Sequence, residues 1–433
     1  MKYIFTDSND RIKGVFDREV QVSNLDNLYK VDNVEENIIG KKIGTMSPEK
    51  MKIAIVCNWR TPCGISTYSK YLVDALRSKV NEIKIFSEIE EKADLSHDIE
   101  ENVSRCWVRG ETLKNLSKEI KDWKPNFVII QHEFGIFPKA THYLKFIQEL
   151  ENIPYAIVLH SVYKSHMDKT IFTSVAKNII VHSNSGKDAL ENLGHTNNLI
   201  RVIPHGCVEF NDVKELWNTF QTPYAIVQFG FGFFYKGVDR AIEAVGILKN
   251  KFPEKDKDIF YCYLCSESAN AVGTHAEYQN YLESIIEKFN LYDNIAIIRK
   301  YNSDEIINNY LRTAKLALFP YVTNPNNIVY GASGAVRVAM ANQIPVITSE
   351  SNMFDDLNNV VPRPNNAEEL SKEIDKIFSD HNYKNNLISL NNKYIQENIW
   401  EKTADRYLDF IKDVLKKENF IEIDTPLLSA PTP

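Results

Sequence analysis

The sequence predicts an α/β protein made of two doubly wound halves, each a parallel sheet covered by helices. Three observations predict this fold class. Short apolar runs without polar alternation recur from residue 52 onward, helical stretches separate them, and this alternation occurs twice along the chain. Strands that are apolar on both faces are typical of parallel sheets with helices on either side. Alternation of strand and helix is typical of α/β domains.

Nine apolar runs predict the strands of the two sheets. They are KIAIVC (52–57), FVIIQ (127–131), YAIVLH (155–160) and NIIVHS (178–183) in the first half, then YAIVQF (224–229), IFYCYL (259–264), NIAIIR (294–299), LALFP (316–320) and IPVIT (344–348) in the second. The seam between the halves falls near residues 206–222. Two halves of this size predict two Rossmann-like domains that face each other.

After the last run, apolar residues at helical spacing predict a long amphipathic helix that can pack across both domains. These residues are Trp400, Ala404, Tyr407, Leu408, Ile411, Val414 and Leu415.

The predicted organisation therefore has five segments. Residues 1–50 form an N-terminal extension of unknown role, 51–210 the first domain, 211–398 the second domain, 399–420 the C-terminal helix and 421–433 a tail.

Composition indicates a globular protein and disfavours several function classes. Apolar residues make up 43% and charged residues 25% of the chain, which is typical of soluble domains. The net charge of -7 makes nucleic acid an unlikely partner. No apolar run is long enough to span a membrane, and the N-terminus lacks the pattern of a secretory signal.

Six scattered cysteines indicate reduced thiols, so we expect a cytoplasmic protein. Cys262 and Cys265 lie in an apolar run and are interpreted as small buried hydrophobes.

Ligands of open parallel sheets bind beyond the carboxyl ends of the strands, so residues that follow each run are candidates. Gly64 begins a helix whose free N–H groups suit a phosphate or a sugar hydroxyl. His132 and Glu133 follow the second run, and His160 ends the third. A histidine there can donate to a sugar hydroxyl or steady a developing charge. Each of these residues also has a purely structural interpretation.

In the second domain, the first strand leads into a glycine-containing loop and then Lys236-Gly237. A lysine there can contact a diphosphate as a point charge, and glycine lets the backbone come close. The alternative is a solvated loop lysine.

A second loop consists of small residues, Gly331, Ala332, Ser333 and Gly334. Ser333 is expected to cap the following helix. The dipole and open N–H groups of that helix would attract an anion.

Together these segments resemble retaining GT-B glycosyltransferases of the glycogen-synthase-like and mannosyltransferase family (glycosyl transferases group 1). The likeness spans about residues 51–415 and is carried by NWRTPCGISTYSKYL, HSNSGKDAL, VIPHG, FGFGFFYKGVDRAIEA and VRVAMANQIPVITS. The resemblance implies a GT-B fold in which the first domain binds the acceptor and the second binds a nucleotide-diphosphate sugar. It implies transfer to an acceptor hydroxyl with retention of anomeric configuration.

The chain departs from the family pattern at several positions. The family's Glu-x7-Glu pair falls on Tyr330 and Val338, the donor-loop arginine on Phe231, and the first glycine of the Gly-Gly loop on Cys63. This indicates a branch in which a Ser-Gly-Ala loop replaces the Glu-x7-Glu motif. His160 matches the family histidine that contacts the donor sugar.

The expected site follows from these matches. His160 and Lys236 are the expected catalytic residues. The expected donor-binding residues are Gly64, Lys236, Gly331, Ser333, Gly334 and Arg337. Arg337 would replace the missing arginine, or else lie on an exposed helix face. Acceptor-side candidates are His132, Glu133 and Tyr163. No cofactor and no metal are expected, because the lysine and a helix N-terminus would neutralise the leaving diphosphate.

Three other functions remain open. Because the family's carboxylates are missing, the protein could bind sugar nucleotides without catalysis. The fold also allows a nucleotide-sugar epimerase. The third alternative, a glycosyltransferase that acts on DNA, is disfavoured by the acidic net charge. Acceptor identity depends on loops 87–110 and 133–143, with a glycan or lipid-linked glycan favoured. The lysine-bearing stretch 114–124 either packs on the core or rests peripherally on an anionic membrane at the inner face.

Overall fold

The structure, a computed structural model, describes residues 2–6, 12–16, 28–31, 43–150, 152–163, 176–195, 199–209, 220, 222–252, 258–266, 274–300, 302–326, 328–417 and 421–423. The helices are α1 (Gly64–Arg77), α2 (Lys114–Trp123), α3 (Ala140–Glu149), α4 (Asn184–Asn192), α5 (Val238–Lys251), α6 (Thr274–Lys288), α7 (Asp304–Thr313), α8 (Gly334–Ala341), α9 (Ala367–Ser379), α10 (His381–Glu397) and α11 (Trp400–Lys417).

The described residues within 2–31 of the N-terminal extension form the strands β1 (Lys2–Thr6), β2 (Ile12–Phe16) and β3 (Leu28–Val31). They form an antiparallel sheet with β1 in the centre. A fourth strand, β4 (Ile43–Thr45), lies just before the first domain.

A seven-stranded parallel sheet forms the first domain. Its strands are β5 (Lys52–Cys57), β6 (Glu82–Glu88), β7 (Val103–Trp107), β8 (Phe127–His132), β9 (Tyr155–Leu159), β11 (Asn178–Val181) and β12 (Leu199–Val202). The order across the sheet is β12–β11–β9–β8–β5–β6–β7. Ala54 and Val56 pack into one core cluster and Ile53 and Ile55 into another, so β5 is buried on both faces. The four strands predicted for this half are confirmed.

A five-stranded parallel sheet forms the second domain. Its strands are β13 (Tyr224–Phe231), β14 (Ile259–Ser266), β15 (Ile295–Arg299), β16 (Leu316–Phe319) and β18 (Val346–Thr348). The order is β15–β14–β13–β16–β18, and all five predicted strands are confirmed. Cys262 and Cys265 are buried in different core clusters of this domain, as small hydrophobes would be. Burial raises the pKa of the Cys262 thiol to about 12.

The two domains are also joined by a short antiparallel strand pair. Strand β10 (Ser161–Tyr163) follows β9 in the first domain, and β17 (Val329–Gly331) precedes α8 in the second. Ser161 pairs with Gly331, and Tyr163 pairs with Val329. The ends of the two sheets that carry the predicted ligand-binding residues are therefore held against each other.

The C-terminal helix α11 crosses back to the first domain, as predicted. It starts where Cys207 and Ile399 form a parallel bridge, with the Cys207 N–H donating to the Asn398 carbonyl at 2.8 Å. All seven residues predicted for the apolar stripe are buried, and they pack in the core cluster that contains α1. Part of the predicted domain seam, residues 210–219 and 221, lies outside the described residues.

Two further segments differ from or refine the expectations. The predicted tail begins with strand β19 (Ile421–Ile423), which pairs antiparallel with β4, whereas residues 424–433 lie outside the described residues. The apolar face of α2 is turned inward, because Leu116 and Ile120 are completely buried. The core-packed interpretation of stretch 114–124 is therefore confirmed. Among the described residues, no helix combines the length and apolar character needed to cross a membrane.

Candidate active site

His160 of the first domain and the loop of small residues of the second domain meet at the β10–β17 pair. His160 stands between β9 and β10, and Gly331 ends β17. A Cβ atom on Gly331 would lie 2.6 Å from the His160 carbonyl oxygen, so only glycine fits without a shift of the backbone. The Ser-Gly-Ala loop thus begins in direct contact with the segment that carries the predicted catalytic histidine.

Lys236 and Ser333 are connected through a tyrosine that the sequence reasoning missed. The Lys236 Nζ donates to the Tyr321 hydroxyl at 2.7 Å and lies 4.0 Å from the centre of its ring. The Tyr321 hydroxyl is 3.0 Å from the Ser333 Oγ. Burial raises the pKa of Tyr321 to about 12, so the hydroxyl keeps its proton at neutral pH. Since the lysine donates to the Tyr321 oxygen, that proton is available for Ser333.

The loop that carries Lys236 is fixed by a close backbone contact. Gly237 has a φ of 66°, and a Cβ there would lie 1.8 Å from the Pro320 carbonyl oxygen. The sequence predicted that this glycine permits a close approach. The approach is to the protein backbone next to Tyr321. Gly237 therefore fixes Lys236 against Tyr321.

Helix α8 begins at Gly334 with Ser333 as its N-cap residue, as predicted. The Ser333 side chain makes no capping hydrogen bond, because it is directed to Tyr321 instead. A Cβ on Gly334 would lie 3.1 Å from the His205 Nε2. The start of α8 is thus flanked by Tyr321 in its own domain and by His205 from the end of the first domain.

Arg337 lies inside the second domain, 1% exposed. Its Nη1 donates to the Ser333 carbonyl at 2.9 Å, and its Nη2 forms an ion pair with Asp356 and contacts the Tyr394 hydroxyl. Burial works against the charge, but Asp356 outweighs it and raises the pKa of Arg337 above its usual value. The exposed-face interpretation is therefore wrong. The Arg337 guanidinium group is buried beside the first turn of α8, where Asp356 neutralises it.

A cluster of neutral histidines lies on the first-domain side. The Tyr68 ring centre is 4.8 Å from that of His160, 5.3 Å from His182 and 4.9 Å from His205. Trp400 at the start of α11 contacts the same ring at 4.9 Å. Desolvation lowers the pKa of His160 and His205 well below the usual range and that of His182 to about 4. At neutral pH these imidazoles offer hydrogen bonds without a charge.

His160 is oriented by its neighbour on β8. Its Nε2 is 2.8 Å from the Gln131 Oε1, so the Nε2 carries the proton and Nδ1 remains an acceptor. Three of the residues around it were not predicted as site residues, namely Tyr68, His182 and His205. His182 directly follows β11 and His205 lies just beyond β12. His160 was selected because it lies at the carboxyl end of a predicted strand. The same criterion selects His182 and His205.

The acceptor-side candidates divide into two groups. Glu133 and Tyr163 come together, with the Tyr163 hydroxyl 3.4 Å from the Glu133 Oε1, and burial raises the pKa of Glu133. His132 points into the core, where its ring stacks on Phe137 at 5.6 Å and desolvation lowers its pKa to about 3. Gly64 is the exposed first residue of α1, and a Cβ atom there would have open space around it.

Comparison with known proteins gives a family match for part of the chain and a shared fold. Residues 210–394 match the sequence profile of the family described as Glycosyl transferases group 1. No curated protein sequence matches the chain. Similar solved structures include a glycosyltransferase from Rickettsia africae ESF-5, at 16% identity, with 85% of this chain and 99% of that chain covered and a TM-score of 0.65.

Two further structures have the same architecture. The sucrose-phosphate synthase of Thermosynechococcus elongatus is 15% identical, with 85% of this chain and 100% of that chain covered and a TM-score of 0.64. An Anabaena protein in complex with UDP and glucose is 13% identical, with 84% and 100% covered and a TM-score of 0.63. At these identities the likeness shows the fold, which is GT-B. The family match itself is confined to residues 210–394, which lie mainly in the second domain.

Proposed function

We propose that the protein transfers a sugar from a nucleotide-diphosphate sugar to an acceptor hydroxyl, with retention of configuration and without a metal. The observation that carries the proposal is the contact series from Lys236 through Tyr321 to Ser333 at the start of α8. A diphosphate placed there would meet one cation and the N–H groups of a helix start. The Anabaena protein of the same fold was solved with UDP and glucose, which supports a nucleotide-sugar donor.

At the anomeric carbon, one carbon–oxygen bond forms and one breaks. The acceptor hydroxyl oxygen attacks the anomeric carbon while the bond from that carbon to the diphosphate oxygen breaks. The acceptor proton passes to the leaving diphosphate, so the products are the glycoside and the nucleoside diphosphate. Lys236 stabilises the charge that develops on the leaving oxygens, which is the kind of contact that favours a transition state. His160, neutral and held by Gln131, orients the sugar.

Metal independence is supported by where the carboxylates lie. The single Asp-x-Asp sequence of the chain is at residues 256–258. Asp258 directly precedes β14 and is therefore at the amino end of the strand, whereas Lys236 follows the carboxyl end of β13. Residues 256 and 257 lie outside the described residues.

Donor binding can be tested with a thermal-shift panel of UDP-, GDP-, ADP- and dTDP-sugars, with EDTA and then with Mg²⁺. A ligand at about 100 times its Kd stabilises the fold by about 2.7 kcal/mol, which gives a visible shift. We expect a shift with one nucleotide in EDTA. No shift with any nucleotide would contradict the proposal, and binding without transfer to a broad acceptor panel would favour a non-catalytic protein.

The role of Lys236 can be tested by Lys236→Ala. Loss of one preorganised contact to a developing oxyanion is expected to lower turnover by about 10²–10³-fold. Lys372→Ala, which removes an exposed lysine of α9, is the matched control and should keep wild-type turnover. Near-normal turnover of Lys236→Ala would remove this lysine from the mechanism.

A further inference from the structure

A group of aromatic side chains lies exposed beside the candidate active site. Phe234 is 57% exposed, Tyr235 45% and Tyr281 44%, while Tyr278 is buried beneath them. We call these four residues the aromatic patch. Exposed aromatic surface of this kind is unfavourable in water, and contiguous patches on a protein mark sites of interaction.

The aromatic patch is built from two elements. Phe234 and Tyr235 belong to the 3₁₀ turn Phe234–Lys236, and Tyr278 and Tyr281 lie one turn apart on α6. The Phe234 ring centre is 5.3 Å from that of Tyr278 and 6.4 Å from that of Tyr281, the latter pair inclined by 32°. Two separate elements thus present their rings to solvent at one place.

The aromatic patch is continuous with the candidate active site. The Tyr235 ring is 5.8 Å from Tyr321, and Lys236 Nζ lies 4.9 Å from the centre of the Tyr235 ring. Phe234 packs on the other side of the same turn, against α6. A ligand on the patch would therefore extend outward from the place where the sugar is transferred.

The rim of the aromatic patch is acidic beside Tyr278 and Tyr281, whereas Lys236 borders Tyr235 on the side of the candidate active site. The Tyr278 hydroxyl donates to the Asp239 Oδ1 at 2.8 Å. Burial of the ring, together with the negative charges of Asp239 and Glu243, raises the pKa of Tyr281. Carboxylates at this position repel anionic lipid headgroups and anionic glycans. They can accept hydrogen bonds from hydroxyl groups.

We propose that the aromatic patch binds a neutral oligosaccharide, the part of the acceptor or product glycan that extends from the first domain over the second. A pyranose ring has an apolar C–H face and a rim of hydroxyls, which matches flat exposed rings bordered by carboxylate and phenol oxygens. Phe234 and Tyr281 would each carry one sugar face. The proposal rests on the proposed function, since it names the substrate class of that same reaction.

The test uses the full chain and isothermal titration with four neutral oligosaccharides: maltoheptaose, cellohexaose, mannohexaose and chitohexaose, each beside its disaccharide. We expect at least one long oligosaccharide to bind, and its disaccharide to bind more weakly. The variant Phe234→Ala/Tyr281→Ala should weaken that binding by about 10- to 100-fold, because two stacking contacts are lost. Tyr292→Ala, which removes a 66% exposed aromatic beyond the C-terminal end of α6, should change nothing.

Thermal shifts with nucleotide sugars, measured on the same variants, separate this inference from the proposed function. The double variant should keep the wild-type nucleotide shift. Loss of that shift would make the rings a base-stacking surface and overturn the inference. A wild type that binds nucleotide sugars but none of the oligosaccharides would also overturn it, while the proposed function stands. Oligosaccharide binding without any nucleotide binding would support the assignment of the aromatic patch and refute the proposed donor site.

Two further outcomes are decisive. Flotation with vesicles of anionic phospholipid that depends on Phe234 and Tyr281 would make the surface a membrane contact and overturn the inference. If the double variant does not fold by circular dichroism, the single variants Phe234→Leu and Tyr281→Leu replace it. Both positions are exposed, so leucine there leaves the core unchanged. Unchanged affinity in both would refute the proposal.

Discussion

At the scale of single residues, Tyr321 determines the position of the Lys236 ammonium group. A lysine side chain has many rotamers, and fixing it costs conformational entropy. Tyr321 restricts Lys236 in two ways, through a hydrogen bond of 2.7 Å to its hydroxyl and a ring face 4.0 Å away. The same hydroxyl orients Ser333. The lysine is therefore placed before any substrate arrives.

Replacing Tyr321 by phenylalanine tests this placement. The ring and its packing stay, but the hydrogen bond to a charged group is lost. Because Lys236 loses its fixed position, kcat/KM should fall by about 10- to 100-fold, less than the loss expected when the lysine itself is removed. Thermal stability should fall by no more than about 1.5–3 kcal/mol, which is what such a bond contributes. Steady-state kinetics and thermal unfolding are the measurements, and Tyr292→Phe is the control on an exposed tyrosine. An unaltered kcat/KM would show that Lys236 does not depend on Tyr321.

The residue scale also shows what the sequence could reveal of the site. Ser333 was identifiable from its loop of small residues before a helix, and Lys236 and His160 because each lies at or after the end of an apolar run. His182 and His205 carry the same signal in HSNSG and VIPHG. Tyr321 follows the LALFP run and carries the same signal, but its role could not be predicted, because its hydroxyl reaches two partners 85 and 12 residues away. Burial of Arg337 depends equally on a distant partner, Asp356.

At the scale of elements, α8 is held by a buried ion pair. Arg337 on the first turn of the helix pairs with Asp356, which lies in the 3₁₀ segment Asn352–Leu357 after β18. The side chains are 1% and 9% exposed. Loss of one partner would leave a buried charge without compensation, so the helix start and this segment are expected to behave as one unit.

Asp356→Asn is expected to lower the free energy of unfolding by about 3–5 kcal/mol, the usual cost of breaking a buried pair. The neighbouring Asp355 pairs with Arg363 at 3.2 Å in a more exposed place. Asp355→Asn should therefore cost only about 0–1 kcal/mol. Urea denaturation of both variants measures the difference. Equal losses would show that burial does not distinguish the two pairs.

Elements differ in how well the sequence predicted them. Central strands such as β5 and β13 were predicted because both of their faces are buried and their sequences are continuously apolar. Strand β6 was missed because polar Glu82 and Lys84 alternate with its apolar residues, and β7 because it is a short strand at the sheet edge. The β10–β17 pair was missed because its partners are more than 160 residues apart, and no local pattern reports such pairing.

At the scale of the whole molecule, buried histidines link folding to pH: His182 lies in the cluster around Tyr68, and His132 lies in the core of the first domain. Desolvation lowers the pKa of His132 to about 3 and that of His182 to about 4. The unfolded chain binds these protons near pH 6.5. The folded state keeps its full stability above that pH and loses it as the pH falls from about 6.5 toward the lowered values.

Each such histidine contributes a slope of about 1.4 kcal/mol per pH unit within that window. His132→Phe, whose ring suits the surrounding aromatic core, should therefore reduce the slope of unfolding free energy against pH by about that amount between pH 6 and 4. Denaturant unfolding at several pH values provides the measurement. His381→Gln, at an exposed position on α10, should keep the wild-type slope. The same slope in His132→Phe would mean that His132 is not kept neutral by folding.

The β10–β17 pair has a consequence for how substrates enter. Because Ser161–Tyr163 of one domain pairs with Val329–Gly331 of the other, the domains cannot part here without breaking peptide hydrogen bonds. Deuterium uptake at the amides that bond across this pair therefore reports the free energy of local opening between the two domains. A nucleotide sugar that requires the closed form should slow that uptake here while leaving β1 and β2 unaffected. The exchange of these amides thus reports how readily the active site opens.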